Sequence, residues 1–226
     1  MKLLFLVVFF SIPFHAKASS PESQIILLEN FIPSDVANTL IQFYNSEKRH
    51  LIIHEDNQLA YSSISNSYIR GIIGEISARV LQVMRQHYPL MGRNYHLDHA
   101  GLYARIPGNY CPYHADNISF ECPIHGRNQG QLRIICPGNC PGARFIPNHT
   151  PWREYTALIY LNDDFQGGEI LFEDGPRNKL YRKTIPIQAN LLILSPNNQN
   201  FYHEVFPIRS GKRHSLHIWY TSDPKH

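Results

Sequence analysis

The sequence has few cysteines, no marked excess of either charge and no Gly-x-y repeat. Its 226 residues contain 21 Lys and Arg against 18 Asp and Glu, with no basic stripe, so we expect no nucleic-acid partner. The absence of a Gly-x-y tract excludes a collagen-like chain. The apolar run at residues 3–14 is too short for a typical membrane-spanning helix. These absences leave a globular protein with enough apolar residues for one sizeable core.

The N-terminus has the pattern of a secretory signal peptide. An apolar run follows Lys2, and Ala16-Lys17-Ala18 forms an A-x-A motif ahead of two serines. We therefore predict a signal peptide at residues 1–18, export of the protein, and a single domain at 19–226. Loss of Lys2 and Lys17 would leave 19 basic residues against 18 acidic residues, so we expect no membrane contact after cleavage.

All four cysteines lie between residues 111 and 140. In an exported protein this clustering favours disulfides, and four cysteines allow three pairings that the sequence does not distinguish. A structural zinc site is the alternative, because the spacings Cys-x2-His and Cys-x3-Cys both suit tetrahedral ligation. The residues concerned are Cys111, Cys122, Cys136 and Cys140 for disulfides, with His125 replacing Cys111 for zinc.

Hydrophobic spacing predicts a short strand near 24–28, then two helices, and then a series of strands. Ser34 can cap the first helix, and the second helix carries an apolar stripe from Ile69 to Met84 until Pro89 stops it. After the helices, short apolar runs broken by turn residues predict strands near 101–106, 155–161, 169–172, 189–194, 204–206 and 215–220.

This order of elements indicates an α+β, mainly β fold. We predict a double-stranded β-helix, or jelly roll, buttressed by the N-terminal helices. Residues 122–152 are rich in Pro, Gly, Asn and Arg, and we predict that they form a loop insertion. This loop could cover a site between the strands that flank it.

Three side chains could form a metal site. His114 and Asp116 are two residues apart, so in a strand both would face the barrel interior. His203, near a later predicted strand, could supply a third ligand. Two imidazoles and one carboxylate that leave other positions open are typical of non-haem Fe(II) oxygenases.

Arg213 follows His203 by ten residues and could bind the co-substrate of such a metal. A five-carbon 2-oxo diacid that chelates the metal would point its far carboxylate away from it, and a guanidinium can hold a carboxylate with two hydrogen bonds. Ser215, on the same strand face, could add a hydroxyl donor.

Several ordered motifs resemble a known family. The block at 154–169 reads EYTALIYLNDDFQGGE and looks like the central block of the 2-oxoglutarate/Fe(II) dioxygenases of the prolyl hydroxylase superfamily. The chain is most similar to the prolyl 3-hydroxylase, or leprecan, catalytic domain. Further similar segments are HADN at 114–117, EC at 121–122, GKR at 211–213, IWYTSDP at 218–224 and ILLENFIP at 26–33.

The resemblance implies roles for particular residues. His114, Asp116 and His203 would bind Fe(II), Arg213 would bind the C5 carboxylate of 2-oxoglutarate, and Tyr103 would be a second contact to that co-substrate. It also implies O2 as oxidant, release of succinate and CO2, ascorbate as the reductant that maintains Fe(II), and a peptide or protein substrate containing proline.

Three alternatives remain at this stage. The enzyme could act on a non-prolyl substrate or a free amino acid, or the fold could be a binding module that has lost catalysis. A zinc hydrolase could use His214 and His217, although residues three apart in a strand face opposite sides.

Overall fold

The computed structural model describes residues 24–47, 57–122, 126–127, 144–173 and 181–226. The predicted signal peptide lies outside these residues. The helices are α1 (Ser34–Glu47) and α2 (Ser67–His87), with a 3-10 turn at Tyr61–Ser63. The strands are β1 (Ile26–Leu28), β2 (Gln58–Ala60), β3 (His96–Arg105), β4 (Cys111–His114), β5 (Ile118–Cys122), β6 (Gly126–Arg127), β7 (Arg144–Pro147), β8 (Tyr155–Tyr160), β9 (Gln166–Gly167), β10 (Ile170–Glu173), β11 (Arg182–Ile185), β12 (Leu192–Pro196), β13 (Tyr202–Val205), β14 (Ile208–Ser210) and β15 (Arg213–Thr221).

Both predicted helices are present, and local signals set their ends. The side chain of Asn66 caps α2 by accepting hydrogen bonds from the backbone N–H groups of Tyr68 and Ile69, at 3.1 and 3.2 Å. The helix ends just before Pro89, whose ring disfavours helical backbone in the preceding residue. The predicted apolar stripe of α2 is buried at Ile69, Ile73, Ile76, Val80, Val83 and Met84.

A major sheet of six antiparallel strands lies against these helices, in the order β1-β12-β8-β15-β3-β2. Strand β15 shows how its two faces divide. Leu216, Ile218 and Tyr220 belong to the core shared with α1 and α2. Because alternate residues of a strand point to opposite faces, Arg213 and Trp219 face the other way.

A minor sheet, in the order β11-β10-β13-β4, faces the second side of the major sheet. The core between the sheets joins Leu158 and Ile193 of the major sheet to Phe172 and Val205 of the minor sheet. Two facing antiparallel sheets with helices behind one of them match the predicted jelly roll, and the site lies between the sheets.

The segment 122–152, which the sequence predicts to be a loop insertion, contains a strand in its described part. Within 122–152, β7 pairs antiparallel with β5, with Ile118 opposite Pro147 and Glu121 opposite Arg144. This short strand lies among Pro, Gly and Arg residues, so it lacks the apolar alternation that would have marked it in the sequence.

The cysteine prediction is corrected at one position. Cys111 is a free thiol, so it takes no part in the disulfides expected among the four cysteines. Its sulfur instead lies 3.7 Å from Nδ1 of His114. Residues 136 and 140, and the side chains at 122 and 125, lie outside the described part of the chain, where the zinc alternative would also fall. Among the described helices, none is long and apolar enough to cross a membrane.

Candidate active site

His114, Asp116 and His203 form a cluster between the sheets. His114 is the last residue of β4 and His203 lies directly opposite it on β13, with the ring centroids 4.3 Å apart. Oδ1 of Asp116 is 3.2 Å from Nε2 of His114 and 3.8 Å from Nε2 of His203. One donor atom from each residue lies within 4.8 Å of the others, so the three could hold one metal ion. These donors fit a small divalent cation such as Fe(II).

Asp116 reaches the cluster in a different way from that predicted. Strand β4 ends at His114, so Asp116 lies beyond it and strand alternation does not direct its side chain. Two donors hold the carboxylate instead. Thr156 Oγ1 donates to Oδ2 of Asp116 at 2.5 Å, and Trp219 Nε1 donates to the same atom at 3.0 Å. Oδ1 is thereby left facing the two histidines.

The charge states of Asp116 and His203 suit metal ligation. Burial would raise the pKa of Asp116, but a hydrogen bond with His114 and the nearby imidazoles hold it well below its usual range. Burial, together with the charge of His114, lowers the pKa of His203 to about 4. His203 is thus neutral at physiological pH, and its Nδ1, 3.3 Å from the Phe201 carbonyl, can donate while Nε2 faces the cluster.

The pKa of His114 is shifted in the opposite direction from that of His203. Burial disfavours its protonated form, but the neighbouring Cys111 and Asp116 outweigh that effect and raise the pKa of His114. Because a metal ligand must be deprotonated, binding of a cation would release a proton from this imidazole.

A cavity of about 450 Å³ extends from the cluster towards Arg213. One wall of the cavity is largely apolar and is formed by residues from both sheets. The other wall is polar and partly cationic, and it is formed by residues of β3 and β15 in the major sheet. The apolar wall contains Leu158, Ile170, Phe172, Ile193 and Val205, and the other wall contains Tyr103, Arg105, Arg213, His217 and Trp219.

Arg213 is one of the most deeply buried side chains of the protein, with 2% of its surface exposed. Its Nη1 donates to the Gly168 carbonyl at 3.4 Å, and its guanidinium carbon lies 5.8 Å from the ring centroid of Tyr160. Its Nε has no hydrogen-bond partner among the residues that the structure describes. Burial lowers the pKa of Arg213, but a guanidinium keeps its charge in proteins. An anion in the cavity would therefore be strongly favoured.

The Gly167-Gly168 pair shapes this end of the cavity. Both residues have positive φ, 80° and 76°. A Cβ at Gly167 would lie 2.1 Å from the Pro207 carbonyl oxygen, so only glycine fits there. The resulting turn directs the Gly168 carbonyl to the hydroxyl of Tyr160, which donates to it at 3.0 Å, and to Arg213.

Tyr103 and Ser215, the other two residues predicted to contact the co-substrate, differ in their position relative to the cavity. Tyr103 lines the cavity, and its ring centroid is 4.3 Å from that of His217. Ser215 is fully buried, and its hydroxyl oxygen is 3.0 Å from Nε2 of His217. Ser215 is not among the residues that line the cavity, whereas its neighbour His217 is.

Sequence reasoning did not find the residues that orient Asp116. Thr156 lies in the central block at 154–169, and Trp219 lies in the C-terminal motif at 218–224. Trp219 follows Arg213 by six residues, so the two side chains share one face of a strand. This even spacing could have placed Trp219 on the site face from the sequence alone. Thr156 could not be placed without the pairing of β8 with β15, in which it lies opposite Trp219.

A family model for the 2OG-Fe(II) oxygenase superfamily matches residues 102–221, which include every candidate ligand described above. The chain belongs to the 2OG-Fe(II) oxygenase superfamily. Human prolyl 3-hydroxylase 3 is 29% identical to it over 171 residues, covering 75% of this chain and 22% of the human protein. The chain thus spans about a fifth of the length of that relative.

Solved structures of this superfamily share the fold. A viral collagen prolyl hydroxylase from Paramecium bursaria Chlorella virus-1 aligns with a TM-score of 0.58 and 16% identity, over 88% of this chain and 95% of the viral chain. A Trichoplax adhaerens prolyl hydroxylase, in complex with a hypoxia inducible factor peptide fragment, aligns with a TM-score of 0.57 and 17% identity, over 88% and 84% of the two chains. These likenesses confirm the predicted jelly roll.

We expect Thr156→Val to weaken Fe(II) binding by about ten- to hundredfold without unfolding the protein. Valine keeps the shape of threonine but leaves Oδ2 of Asp116 with only the indole donor, and residues that orient a metal ligand typically contribute this much to affinity. An anaerobic Fe(II) titration measures the effect. Thr221→Val, at a buried position outside the cavity lining, is the control and should bind Fe(II) as the wild type does.

Proposed function

We propose that this protein is an Fe(II)- and 2-oxoglutarate-dependent dioxygenase that hydroxylates prolyl residues in a peptide or protein substrate. The observation that carries this proposal is one cavity with the His114, Asp116 and His203 cluster in its wall and the buried Arg213 cation beyond it. Membership of the 2OG-Fe(II) oxygenase superfamily supports the use of Fe(II), 2-oxoglutarate and O2.

Each part of the cavity has a defined task in this proposal. His114, Asp116 and His203 would hold Fe(II) on one side and leave the side facing the cavity open. The bound metal would couple oxidative decarboxylation of 2-oxoglutarate, to succinate and CO2, with oxygen transfer to a C–H bond. The indole of Trp219 and the hydroxyl of Thr156 keep the carboxylate of Asp116 in place while its charge is shared with the metal.

Arg213 would bind the C5 carboxylate of 2-oxoglutarate. Gly168, which contacts Arg213, and Phe172, which lies opposite His203, are four residues apart along the same stretch of chain. At about 3.3 Å per residue this corresponds to at most about 13 Å, because Gly168 and Glu169 lie outside the strands. A long arginine side chain and a five-carbon diacid together can span such a distance. The apolar residues Ile170 and Phe172 between the two ends would exclude water and strengthen the ion pair.

The prolyl substrate is supported by relatives. The proteins that match by sequence include prolyl 3-hydroxylases, and the solved structures with this fold include prolyl hydroxylases that are described as acting on collagen or as bound to a peptide. The exported location is supported by the A-x-A motif that ends at Ala18, and the requirement for ascorbate is supported by the family resemblance.

Turnover with peptides tests the substrate class. We expect purified protein with Fe(II), 2-oxoglutarate, O2 and ascorbate to release succinate faster when a proline-rich peptide is added. The peptide should gain the mass of one oxygen atom on proline, as measured by tandem mass spectrometry. If succinate forms but only free amino acids or peptides without proline accelerate it, the prolyl assignment is wrong and the oxygenase assignment stands.

A further inference from the structure

His217 lies in the cavity wall between the two ends of the site. It shares one face of β15 with Arg213 and Trp219, because even numbers of residues separate the three, and all three line the cavity. Trp219 contacts Asp116 at the metal cluster, whereas Arg213 contacts Gly168 at the far end. Eight of the nine residues of β15 are buried, and His217 is the exception. A ligand that extends from the metal cluster to Arg213 would therefore pass this imidazole.

Two contacts hold the imidazole of His217 in place. Its ring centroid lies 4.3 Å from that of Tyr103, and its Nε2 lies 3.0 Å from the hydroxyl oxygen of Ser215, which is fully buried. Burial, followed by the charges of Arg213 and Arg105, lowers the pKa of His217 well below its usual range. The imidazole is therefore neutral at physiological pH, with one N–H donor and one acceptor nitrogen.

The hydroxyl of Ser215 decides which ring nitrogen carries the proton. This hydroxyl can donate one hydrogen bond, and within the part of the chain that the structure describes its one partner is Nε2 of His217. If Nε2 carried the proton, the buried hydroxyl would have no acceptor, which is unfavourable. The arrangement that satisfies both groups has Ser215 donating to Nε2 and the proton of the imidazole on Nδ1.

Nδ1 of His217 is thus an N–H donor that a ligand in the cavity can reach. It makes no hydrogen bond with the described residues, yet it is not one of the fully buried polar atoms that lack a partner. The ring itself lines the cavity, so this accessible nitrogen is open to the space where a ligand would lie. A ligand beside the buried cation of Arg213 would be anionic, and a hydrogen bond from an N–H group to an anion is stronger than one between neutral groups.

We infer that Ser215 and His217 form a co-substrate-positioning pair, in which Ser215 holds His217 with its Nδ1–H directed at the metal-binding end of a 2-oxo acid. The inference rests on the proposed function. His217 is two residues from Trp219 and four from Arg213, which places it nearer to the metal cluster. His217 would bind the end that every 2-oxo acid shares, whereas Arg213 would bind the carboxylate that only a diacid carries. Ser215 would act through His217 and not, as the sequence predicts, by direct contact with the co-substrate.

The tautomer of His217 can be measured without metal or co-substrate. In ¹⁵N-labelled metal-free protein, long-range ¹H–¹⁵N correlation spectra distinguish an Nδ1–H imidazole from an Nε2–H imidazole, and the signal that is missing in His217→Asn assigns the residue. We expect the Nδ1–H tautomer in the wild type and the loss of this preference in Ser215→Ala, because no hydroxyl then donates to Nε2. An Nε2–H tautomer in the wild type would overturn the inference.

Two acids test the role of His217 in binding, separately from turnover. 2-Oxovalerate has the same five-carbon chain and the same chelating end as 2-oxoglutarate but no far carboxylate. In anaerobic titrations of the Fe(II) protein, followed by the visible charge-transfer band, we expect His217→Phe to raise the Kd of both acids by about tenfold, the loss of one hydrogen bond to a charged group. Arg213→Met should by contrast weaken the binding of 2-oxoglutarate alone.

Two amide substitutions identify the nitrogen that matters. The side-chain amide of Asn can place an N–H group near the position of Nδ1, and the longer side chain of Gln can place one near the position of Nε2. We expect His217→Asn to bind both acids within about threefold of the wild type, and His217→Gln to be as weak as His217→Phe. The reverse order would show that His217 acts only through its contact with Ser215, and it would overturn the inference.

His214→Phe is the matched control for His217→Phe. His214 lies on the same strand, burial lowers its pKa to about 4, and its Nε2 lies 3.3 Å from Oδ1 of Asn45. It does not line the cavity, so this variant should leave the Kd of both acids unchanged.

The outcomes separate this inference from the proposed function. Wild-type protein that gives no band with Fe(II) and 2-oxoglutarate would overturn both. A His217→Phe protein that binds both acids as tightly as the wild type, or that weakens 2-oxoglutarate alone, would overturn only the role of His217. If His217→Phe does not fold, the comparison of His217→Asn with His217→Gln gives the same decision.

Discussion

Asp116→Ala is expected to abolish Fe(II)-dependent activity and to lower Fe(II) affinity by more than about a hundredfold. Residues that only orient a metal ligand contribute ten- to hundredfold, and under the proposed function Asp116 would supply the charged ligand itself. Without it, two imidazoles are left, and neither supplies a negative charge to a divalent cation. The loss should therefore be largest among single substitutions in the site.

Thermal unfolding provides a readout of this prediction that does not depend on turnover. Fe(II) at about a hundred times its Kd should stabilise the wild type by about 2.7 kcal/mol, which corresponds to a rise of about 5 to 10 °C in Tm for a domain of this size. We expect Asp116→Ala to show no such rise at the same concentration.

Asp98→Ala is the matched control for Asp116→Ala. Asp98 has the same side-chain exposure as Asp116, 10%, and it also accepts hydrogen bonds from an indole, Trp152, and from a second donor, Arg153. It does not line the cavity. Its loss should lower stability but preserve the Fe(II)-dependent rise in Tm. If the two variants lose that rise equally, Asp116 is not a ligand.

Arg213→Met is expected to raise the Kd of 2-oxoglutarate by at least about 30-fold while Fe(II) binding is preserved. Truncating one partner of a buried charge pair costs about 2 to 5 kcal/mol, much of it because the other charge is left buried without a partner. The same anaerobic titration measures this change. The hydrogen bond from Arg213 to the Gly168 carbonyl is long, at 3.4 Å, so loss of the side chain should not reduce stability when 2-oxoglutarate is left out.

Arg79→Met is a suitable control for Arg213→Met. Arg79 lies on α2, donates to the Phe31 carbonyl at 2.7 Å and does not line the cavity. We expect this variant to bind 2-oxoglutarate normally and to lose some stability. An Arg213→Met protein that is destabilised without ligand but binds 2-oxoglutarate normally would show that the buried cation is structural.

The site could be predicted from the sequence to the extent that its residues lie in short ordered motifs. The spacing of His114, Asp116, His203 and Arg213 indicated both the metal cluster and the buried cation, and the motif at 154–169 indicated the fold. Arg105 could not be placed in the cavity wall from the sequence, because it is one arginine among many. Only the register of β3 against β15 makes it the neighbour of Arg213.

Strands β7 and β11 were the least predictable part of the fold. Strand β11 (Arg182–Ile185) contains two basic residues and β7 contains both Arg and Pro, so neither shows a clear alternation. Their pairing depends on the hydrogen-bonding edges that β10 and β5 supply outside the segment itself. A local pattern carries no information about such partners.

By itself, the sequence determined the chemistry: which residues could bind a metal, which cation could bind a diacid, and the order of helices and strands that would enclose them. Those properties depend on residue type and short spacing. Only the tertiary structure decided that Thr156 and Trp219 hold Asp116, that Cys111 is a free thiol beside His114, and that two arginines share one cavity. Except for Cys111 and His114, these contacts join residues that are distant in the chain. Strand register and burial bring such residues close together, and neither can be read from a local sequence pattern.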